Sequence, residues 1–315
     1  MPVKLSIADF VFKFEGQNLC DFIKAMPFFQ PFVTESSREN DFTVSEELDE
    51  MEVSRLRESC NGVEPYFHVD FEDVDCQFYR IGNELIFHTH EEHSKKELWE
   101  IWEIGSDIVR TSIVRATATM YRYALWTAVN FLTCMHKCLA IHCSANVFDG
   151  QTAIFLGESG TGKSTHTRLL RERYPDSFLL NDDSPFIRVL EDGKVMVYGA
   201  PWSGKTPCYK AEAYPLRAIV RLSQAPYNKI QRLNPIQAIG ALLPSAPPVL
   251  NYTEETSDAV CNYISDVLAE VPAWAMECLP NIEAAELSHD TILRASYGSR
   301  THDLRVTNAM LYQLS

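Results

Sequence analysis

The chain has 315 residues, which is enough for one large domain or two domains of ordinary size. Hydrophobic residues make up 46% of the sequence, as in a globular protein with a sizeable core. The net charge is −15, from 43 acidic residues against 28 lysines and arginines, and this balance argues against a general nucleic-acid-binding protein.

The sequence predicts a soluble cytoplasmic protein that does not contact a membrane. Residues 1–4 lack the apolar core of a signal peptide. The longest apolar stretch, 124–135, lies between Arg122 and Lys137 and is too short to span a bilayer. The nine cysteines show no paired framework, which is typical of reduced thiols inside the cell.

Residues 1–110 are predicted to form a smaller β-rich α+β module, for which a recognition role is one possibility. Short aromatic runs separated by polar segments are typical of strands, and here they cover 6–14, 66–71, 76–81 and 84–88. Between them, residues 40–60 are expected to be a flexible loop or a short helix. Residues 95–104, rich in Glu and Trp, are expected to begin a helical connector.

Residues 111–315 are predicted to form the nucleotide-binding domain. A long apolar helix over 113–137 leads into a strand over 139–148, and Asp149 and Gly150 form a tight turn into the next strand, 152–156. The later elements are an apolar strand at 178–180, a second hairpin from 186–190 and 195–198, a buried strand at 217–222, and a helix that starts at Asn234 and Pro235 and ends near Leu243. The tail after Ser296 has weak patterning and is expected to be mobile.

Two hairpins flanking the segment 157–165 favour a mixed sheet. Switch GTPases and motor ATPases alternate strands and helices in a parallel sheet, so this pattern argues against those classes. The predicted fold class is therefore α/β (α+β), with a mixed sheet in the second domain.

A phosphate-binding loop is predicted between the strand 152–156 and a helix that begins at Lys163. The segment fits the pattern G-x-x-x-x-G-K-[ST]. Glycines let the backbone approach an anion, and successive N–H groups at a helix N-terminus bind phosphate. Lys163 can reach the β- and γ-phosphates, and the Ser164 hydroxyl can bind Mg²⁺. The residues expected to bind the nucleotide are Gly157, Ser159, Gly160, Thr161, Gly162, Lys163, Ser164 and Thr165.

Asp182 and Asp183 follow the apolar strand 178–180, one helix after the loop. Carboxylates at a strand end beside a phosphate loop can hold Mg²⁺ or accept a proton from an attacking hydroxyl. The alternative is a polar turn with an Asx cap. His142 lies on the strand before the first hairpin. It is either a residue of the core or a residue that lies beside the phosphate loop.

A second loop, residues 199–205, combines glycines, a hydroxyl and a cation. Lys205 could stabilise the charge on a transferring phosphoryl group, although a purely structural turn fits the pattern equally well.

Two groups of metal-ligand residue types are not expected to bind metal. In the first, helical spacing and the absence of CxxC pairs favour buried thiols. In the second, two histidines can share one strand face, but the sequence offers no complementary ligand pair. The first group is Cys134, His136, Cys138, His142 and Cys143; the second is His88, His90 and His93 with Glu91 and Glu92.

Residues 139–222 resemble the HPr kinase/phosphorylase superfamily, whose catalytic domain is related to phosphoenolpyruvate carboxykinase. That family has a His-Gly strand, a hairpin, the loop G-[DE]-S-G-x-G-K-S and an apolar strand ending in Asp-Asp. The same order occurs here as His142, the Asp149–Gly150 turn, the loop from Gly157 to Ser164, and the strand ending at Asp183.

The resemblance implies a phosphoenolpyruvate carboxykinase-like P-loop domain that uses ATP and Mg²⁺. Ser164 would bind the metal, and Asp182 would be the base that activates an acceptor hydroxyl. Asp183 would be a metal or positioning carboxylate, and His142 an active-site helper.

The sequence also departs from the family. Bifunctional members carry a Glu-Ile-Arg-Gly-type segment that supplies a metal carboxylate, whereas this chain has residues 197–205 there, which include Pro-Trp-Ser-Gly-Lys. Phosphorylase activity is therefore not expected, and the chain is interpreted as a divergent member. The predicted function is a kinase that phosphorylates a serine-type hydroxyl on a protein, peptide or small molecule. A carboxykinase-like enzyme and a non-catalytic ATP-binding sensor or peptide-binding module are the alternatives, and a homo-oligomer stays open.

Overall fold

A computed structural model describes residues 1–71, 73–91, 93–204 and 206–294, except for the side chains of Phe71 and Arg294. The chain divides into two compact units. The first contains Met1–His136 and Val249–Thr256, and the second contains Lys137–Pro248 and the chain from Ser257 onward. The predicted boundary at 110/111 differs from this division, since residues 111–136 and Val249–Thr256 lie in the first unit.

The first unit is built on an eight-stranded mixed sheet with the order β1-β2-β3-β8-β7-β6-β5-β4. Strand β3 is parallel to β2 and β8, and the other neighbours are antiparallel. The strands are β1 (Val3–Ile7), β2 (Phe10–Glu15), β3 (Phe42–Leu48), β4 (Phe67–Phe71), β5 (Val74–Ile81), β6 (Glu84–Glu91), β7 (Lys96–Glu103) and β8 (Ile108–Ser112). The helices are α1 (Gln17–Ala25), α2 (Glu50–Cys60) and α3 (Ala118–Cys134), with a 3₁₀ turn at Gln30–Phe32.

The predicted strands of this unit are confirmed in outline. Residues 6–14 belong to a hairpin, because Ala8 and Asp9 both adopt positive φ and turn the chain between β1 and β2. Residues 40–60 are more ordered than expected. They form β3 and then α2, which starts at a capping box in which Asp49 and Glu52 satisfy each other's backbone N–H groups.

The helical connector predicted over 95–104 is wrong, since this segment is β7. Its aromatic and branched side chains alternate between two covered faces. Trp99 and Ile101 pack with Val53 of α2, and Trp102 stacks on Phe131 of α3 at 5.3 Å. Burial on both faces hides the alternation that would otherwise mark a strand.

The second unit has a mixed sheet with the order β12-β10-β11-β15-β14-β13-β9, and a further strand, β17, pairs with β15 and β16. The strands are β9 (Cys138–Ala140), β10 (Cys143–Phe148), β11 (Gln151–Leu156), β12 (Phe178–Asp183), β13 (Phe186–Val189), β14 (Val195–Tyr198), β15 (Ala213–Gln224), β16 (Lys229–Arg232) and β17 (Ala273–Cys278). The remaining helices are α4 (Lys163–Arg173), α5 (Pro235–Leu242), α6 (Glu254–Glu270) and α7 (Ile282–Arg294), with 3₁₀ turns at Leu243–Ser245 and Pro248–Asn251.

Both predicted hairpins are confirmed, and so is the mixed sheet. Asp149 and Gly150 have φ values of 49° and 68°, as a tight turn between antiparallel β10 and β11 requires. β11 is parallel to β15 on its other side. The strand predicted over 139–148 is interrupted at Ile141 and His142, and the long helix is shorter than predicted because Thr117 caps its start.

The directions of the strands bring the carboxyl ends of four strands to one edge of this sheet. β11 and β15 are parallel, β15 and β17 are parallel, and β10 runs against both β11 and β12. The carboxyl ends of β11, β12, β15 and β17 therefore share an edge, above a core that contains Phe155, Leu170, Val220 and Met276.

The described helices include none that is long and apolar enough to cross a bilayer. The tail after Ser296 lies outside the described residues.

Candidate active site

The predicted phosphate loop runs from the buried strand β11 into α4, and this placement is confirmed. Gly157, Gly160 and Gly162 all have positive φ, and Gly162 caps α4 in the left-handed region. A Cβ on Gly157 would lie 2.5 Å from Thr161 Oγ1, so only glycine fits there without a shift. The loop presents exposed backbone at the start of an eleven-residue helix, which is an arrangement that binds anions.

The Lys163 side chain lies across this loop. Its ammonium donates to the Gly157 carbonyl at 2.7 Å and to the Glu158 carbonyl at 3.3 Å. Burial lowers the pKa of Lys163, and the nearby Cys143, Asp183 and Asp182 act in the opposite direction. The cation is therefore held close to the backbone that would surround a phosphate.

Ser164 joins the loop to the end of β12. Its hydroxyl donates to the Asp182 carboxylate, at 3.0 Å from Oδ2 and 3.2 Å from Oδ1. Asp182 is only 6% exposed and pairs across the sheet with Ser144 of β10. The loop hydroxyl and the first strand-end carboxylate thus form one group, although eighteen positions separate them in the chain.

Asp183 and His142 lie beside this group. Asp183 has a φ of 129°, an unusual value for a residue with a side chain, and its side chain is 45% exposed. His142 Nε2 lies 3.9 Å from Asp183 Oδ1. The pKa of His142 is lowered, first because protein displaces water around the ring and second because of the Lys163 cation, while the two carboxylates oppose the shift. A neutral imidazole at pH 7 follows.

The loop that contains Gly199 and Gly204 packs against the same strand end. Gly204 N–H donates to the Asp182 carbonyl at 2.7 Å, and the Ser203 hydroxyl donates to that carbonyl at 3.2 Å. The Asn181 amide reaches back to the Trp202 carbonyl at 2.9 Å. The segment is therefore both an ordered turn and a wall of the candidate site. Lys205 lies outside the described residues, and its role stays a prediction.

A pocket of about 480 Å³ opens on the other side of the loop. β10 and β12 lie on one side of β11, and β15 and β17 lie on the other, so the loop separates this pocket from the carboxylates. Gln224 donates to the Gly160 carbonyl at 3.0 Å and ties the pocket to the loop. The apolar part of the lining comes from Leu222, Ala225, Cys278, Leu279 and Pro280.

Sequence reasoning predicted the loop residues that line this pocket, Gly160, Thr161, Gly162 and Thr165, but missed the residues that line its other side. The apolar strand at 217–222 was predicted, and its parallel pairing with β11 would have placed its end beside the loop. β17 was not predicted, and it contributes Cys278 to the pocket. Without that pairing, nothing in the residues from Cys278 to Pro280 marks a binding site.

The three cysteines of the first group of candidate metal ligands are buried and form no disulfide among the described residues, as predicted for buried thiols. Burial raises the pKa of Cys134 to about 12, so this thiol stays protonated and is a poor metal ligand.

Comparison with known proteins finds similarity to phosphoenolpyruvate carboxykinases in the segment that contains the loop. A model of the phosphoenolpyruvate carboxykinase family matches residues 112–188. The ATP-dependent phosphoenolpyruvate carboxykinase of Caldanaerobacter subterraneus is 43% identical over 61 residues, which is 19% of this chain and 11% of that protein. The corresponding enzyme of Amoebophilus asiaticus is 54% identical over 44 residues, or 13% of this chain and 8% of that protein.

The similarity is local, since the chain spans about a tenth of the length of the curated relatives it matches. The structure of the HPr(Ser) kinase/phosphatase from Coxiella burnetii covers 50% of this chain and 97% of its own, with 13% identity and a TM-score of 0.29. The matched segment contains the loop and Asp182–Asp183, and over this segment it confirms the predicted resemblance to phosphoenolpyruvate carboxykinase-like P-loop proteins.

Proposed function

We propose that this protein is an ATP- and Mg²⁺-dependent kinase that transfers the γ-phosphoryl group to a serine-type hydroxyl. The observation that carries the proposal is the contact between Ser164 and Asp182, because it joins a phosphate loop to a carboxylate that can act as a base. The acceptor hydroxyl belongs to a protein, a peptide or a small molecule.

The loop and Lys163 would hold the triphosphate. The backbone N–H groups at the start of α4 favour negative charge, and the Lys163 ammonium lies 2.7 Å from the loop carbonyl that it would leave on binding phosphate. The apolar pocket bounded by Leu222 and Leu279 has the size and lining suited to the nucleotide base. The base and the reacting phosphate would then lie on opposite sides of the loop.

The residues present suit a magnesium ion, since hydroxyl and carboxylate oxygens are the ligands that Mg²⁺ takes. Ser164 and Asp183 would hold it, and the bound ion would neutralise charge on the β- and γ-phosphate oxygens.

Asp182 would take the proton from the acceptor hydroxyl. The acceptor oxygen then bonds to the γ-phosphorus, the bond from that phosphorus to the β,γ-bridging oxygen breaks, and ADP leaves with the electron pair. The hydroxyl of Ser164 donates to the Asp182 carboxylate and holds it beside the loop. Neutral His142 and the exposed Asp183 would orient the acceptor on the open side.

A second candidate is a carboxykinase-like activity, which the family match over residues 112–188 favours. The two reactions are separated by their co-substrates. The purified chain is incubated with γ-labelled ATP and Mg²⁺, once with a protein and metabolite extract and once with oxaloacetate. The kinase proposal expects label on a hydroxyl of the extract and no ATP consumption that depends on oxaloacetate.

Oxaloacetate-dependent consumption would replace the proposal with the carboxykinase. Tight ATP binding without transfer in either arm would favour a non-catalytic sensor instead. An Asp183→Asn protein that loses transfer while Asp182→Asn retains it would exchange the roles of the two carboxylates.

A further inference from the structure

The first unit carries a polar patch on the face of its sheet where β4, β5 and β6 lie side by side. Strand register sets the patch, since Asp70 pairs with Asp75 and Asp75 pairs with His90 across three adjacent strands. His68 lies two residues before Asp70 and shares its face. These four residues are called the His/Asp cluster below.

Short distances connect the cluster. His68 Nε2 lies 2.6 Å from Asp75 Oδ2 and 3.8 Å from Asp70 Oδ1. Each of these three residues offers a ligand atom within 4.8 Å of the other two. His90 Nδ1 lies 3.3 Å from Asp75 Oδ1, on the other side of the same carboxylate.

Two atoms at the centre of the cluster are buried and lack hydrogen-bond partners among the described residues. They are Asp75 Oδ1 and His90 Nδ1. Buried polar atoms normally have a partner, so such a pair calls for an explanation. They lie 3.3 Å from each other, so the His90 ring contacts the Asp75 oxygen other than the one that faces His68.

The neighbouring polar groups are already engaged. Glu97 accepts from Arg57 of α2 and from the Trp99 indole at 3.2 Å, and it also contacts the His88 ring. His88 stacks on Trp99 at 4.0 Å and on His90 at 5.5 Å, so it holds the His90 ring in place.

We propose that His68, Asp70 and Asp75 of the His/Asp cluster bind a Zn²⁺ ion, with His90 as a positioning residue against the Asp75 carboxylate. One imidazole and two carboxylates are an N/O ligand set that suits a divalent ion such as zinc. The site would link the edge strand β4 to β5. His68 and Asp70 are 48% and 78% exposed on their side chains, so both are free to adjust while the 2.6 Å contact opens to a ligand spacing.

The sequence did not predict this site because the histidines that it singled out, His88 and His90, are not the ligands. The ligands lie on β4 and β5, whose register cannot be read from spacing. His90 of β6 contacts the Asp75 carboxylate and positions it, and His88 holds the His90 ring.

The test is equilibrium dialysis of the full-length chain against ZnCl₂ in the presence of a metal buffer. We expect one tightly bound equivalent, and His68→Ala and Asp75→Asn should each weaken it by about a hundredfold or more. His90→Ala should weaken it by at least about tenfold, within the range found when groups that orient a metal site are removed. The matched controls His93→Ala and Asp73→Asn, which change the same residue types in nearby turns, should bind zinc like the unmodified chain.

Cobalt substitution separates this site from adventitious thiol binding. Bound Co²⁺ should give visible absorption without a thiolate charge-transfer band, since no cysteine belongs to the cluster. Zinc binding that survives in both His68→Ala and Asp75→Asn would overturn the proposal, as would a thiolate band or the absence of stoichiometric binding. Circular dichroism of each variant checks its fold, which exposed side chains such as His68 are expected to leave intact.

Discussion

The phosphate loop and the His/Asp cluster are both polar sites on sheets, but the chain builds them in different ways. The loop consists of consecutive residues whose shape comes from glycines with positive φ, such as Gly157 and Gly162. The cluster takes residues from three strands, and register alone places His90 opposite Asp75. A site formed by consecutive residues can be predicted from the sequence. A site formed by residues on paired strands can be predicted only when the pairing of the strands is known.

The largest effect is expected from Lys163→Ala, because it removes the cation that lies across the loop. Loss of a group that stabilises transition-state charge typically lowers turnover by about 10²–10³-fold. Phosphate transfer from labelled ATP measures it, and zinc dialysis of the same protein should be unchanged. Lys194→Ala, in an exposed turn of the same unit, is the control. Transfer that persists in Lys163→Ala would separate the loop from the reaction.

A glycine exchange tests whether loop shape alone builds the first site. In Gly157→Ala the new Cβ meets Thr161 Oγ1 and the φ of 147° is strained, so affinity for a fluorescent ATP analogue should fall by at least about tenfold. Gly150→Ala is matched in its positive φ but has open space around it. It should cost about 1–2 kcal/mol of stability and leave nucleotide binding intact. Equal affinities in the two variants would contradict the account.

The contrast between the two sites explains which elements and contacts could be predicted from the sequence. Helix α4 begins at Lys163 and strand β14 covers 195–198, as the pattern predicted, because a glycine-rich loop and an Asp-Gly turn mark them locally. Strand β7 was assigned to a helix, since burial on both faces removed its alternation. The sequence predicted that Asp182 lies beside the loop. Its contact with Ser164 was not predicted, because it depends on the pairing of β10 with β12.

The sheet that carries the cluster also holds a buried acid without compensation. Glu100 is 2% exposed, and its Oε2 has no hydrogen-bond partner among the described residues. Burial raises the pKa of Glu100 well above its usual value. The folded state therefore favours the protonated form, and its stability falls as pH rises above the unfolded pKa, near 4.5.

Glu100→Gln should remove this penalty while leaving the cluster in place. The unfolding free energy at pH 7 should rise, because the variant has no carboxylate whose charged form is destabilised by burial. Urea unfolding at pH 5 and pH 8 measures the change, and the gain should be larger at pH 8. A variant less stable than the unmodified chain at pH 8 would show that the carboxylate has a partner. Zinc dialysis of the variant should be unaltered.

The smallest effect concerns the tether between the apolar pocket and the loop. Gln224→Ala removes a hydrogen bond of 3.0 Å to the Gly160 carbonyl. A net loss of about 0.5–1.5 kcal/mol corresponds to nucleotide affinity that is about two- to tenfold weaker. Gln231→Ala, at an exposed position of β16, should bind like the unmodified chain. If Gln224→Ala also binds nucleotide like the unmodified chain, the hydrogen bond to Gly160 does not shape the loop.

The most direct test of the kinase proposal measures ATP binding and phosphate transfer on one Asp182→Asn protein. Binding should persist, because the loop and Lys163 are intact, while transfer should fall by about 10²–10⁴-fold, the typical contribution of a general base. Asp192→Asn, in an exposed turn of the same unit, should retain both. Full transfer by the Asp182→Asn protein would contradict the assignment of this carboxylate as the base.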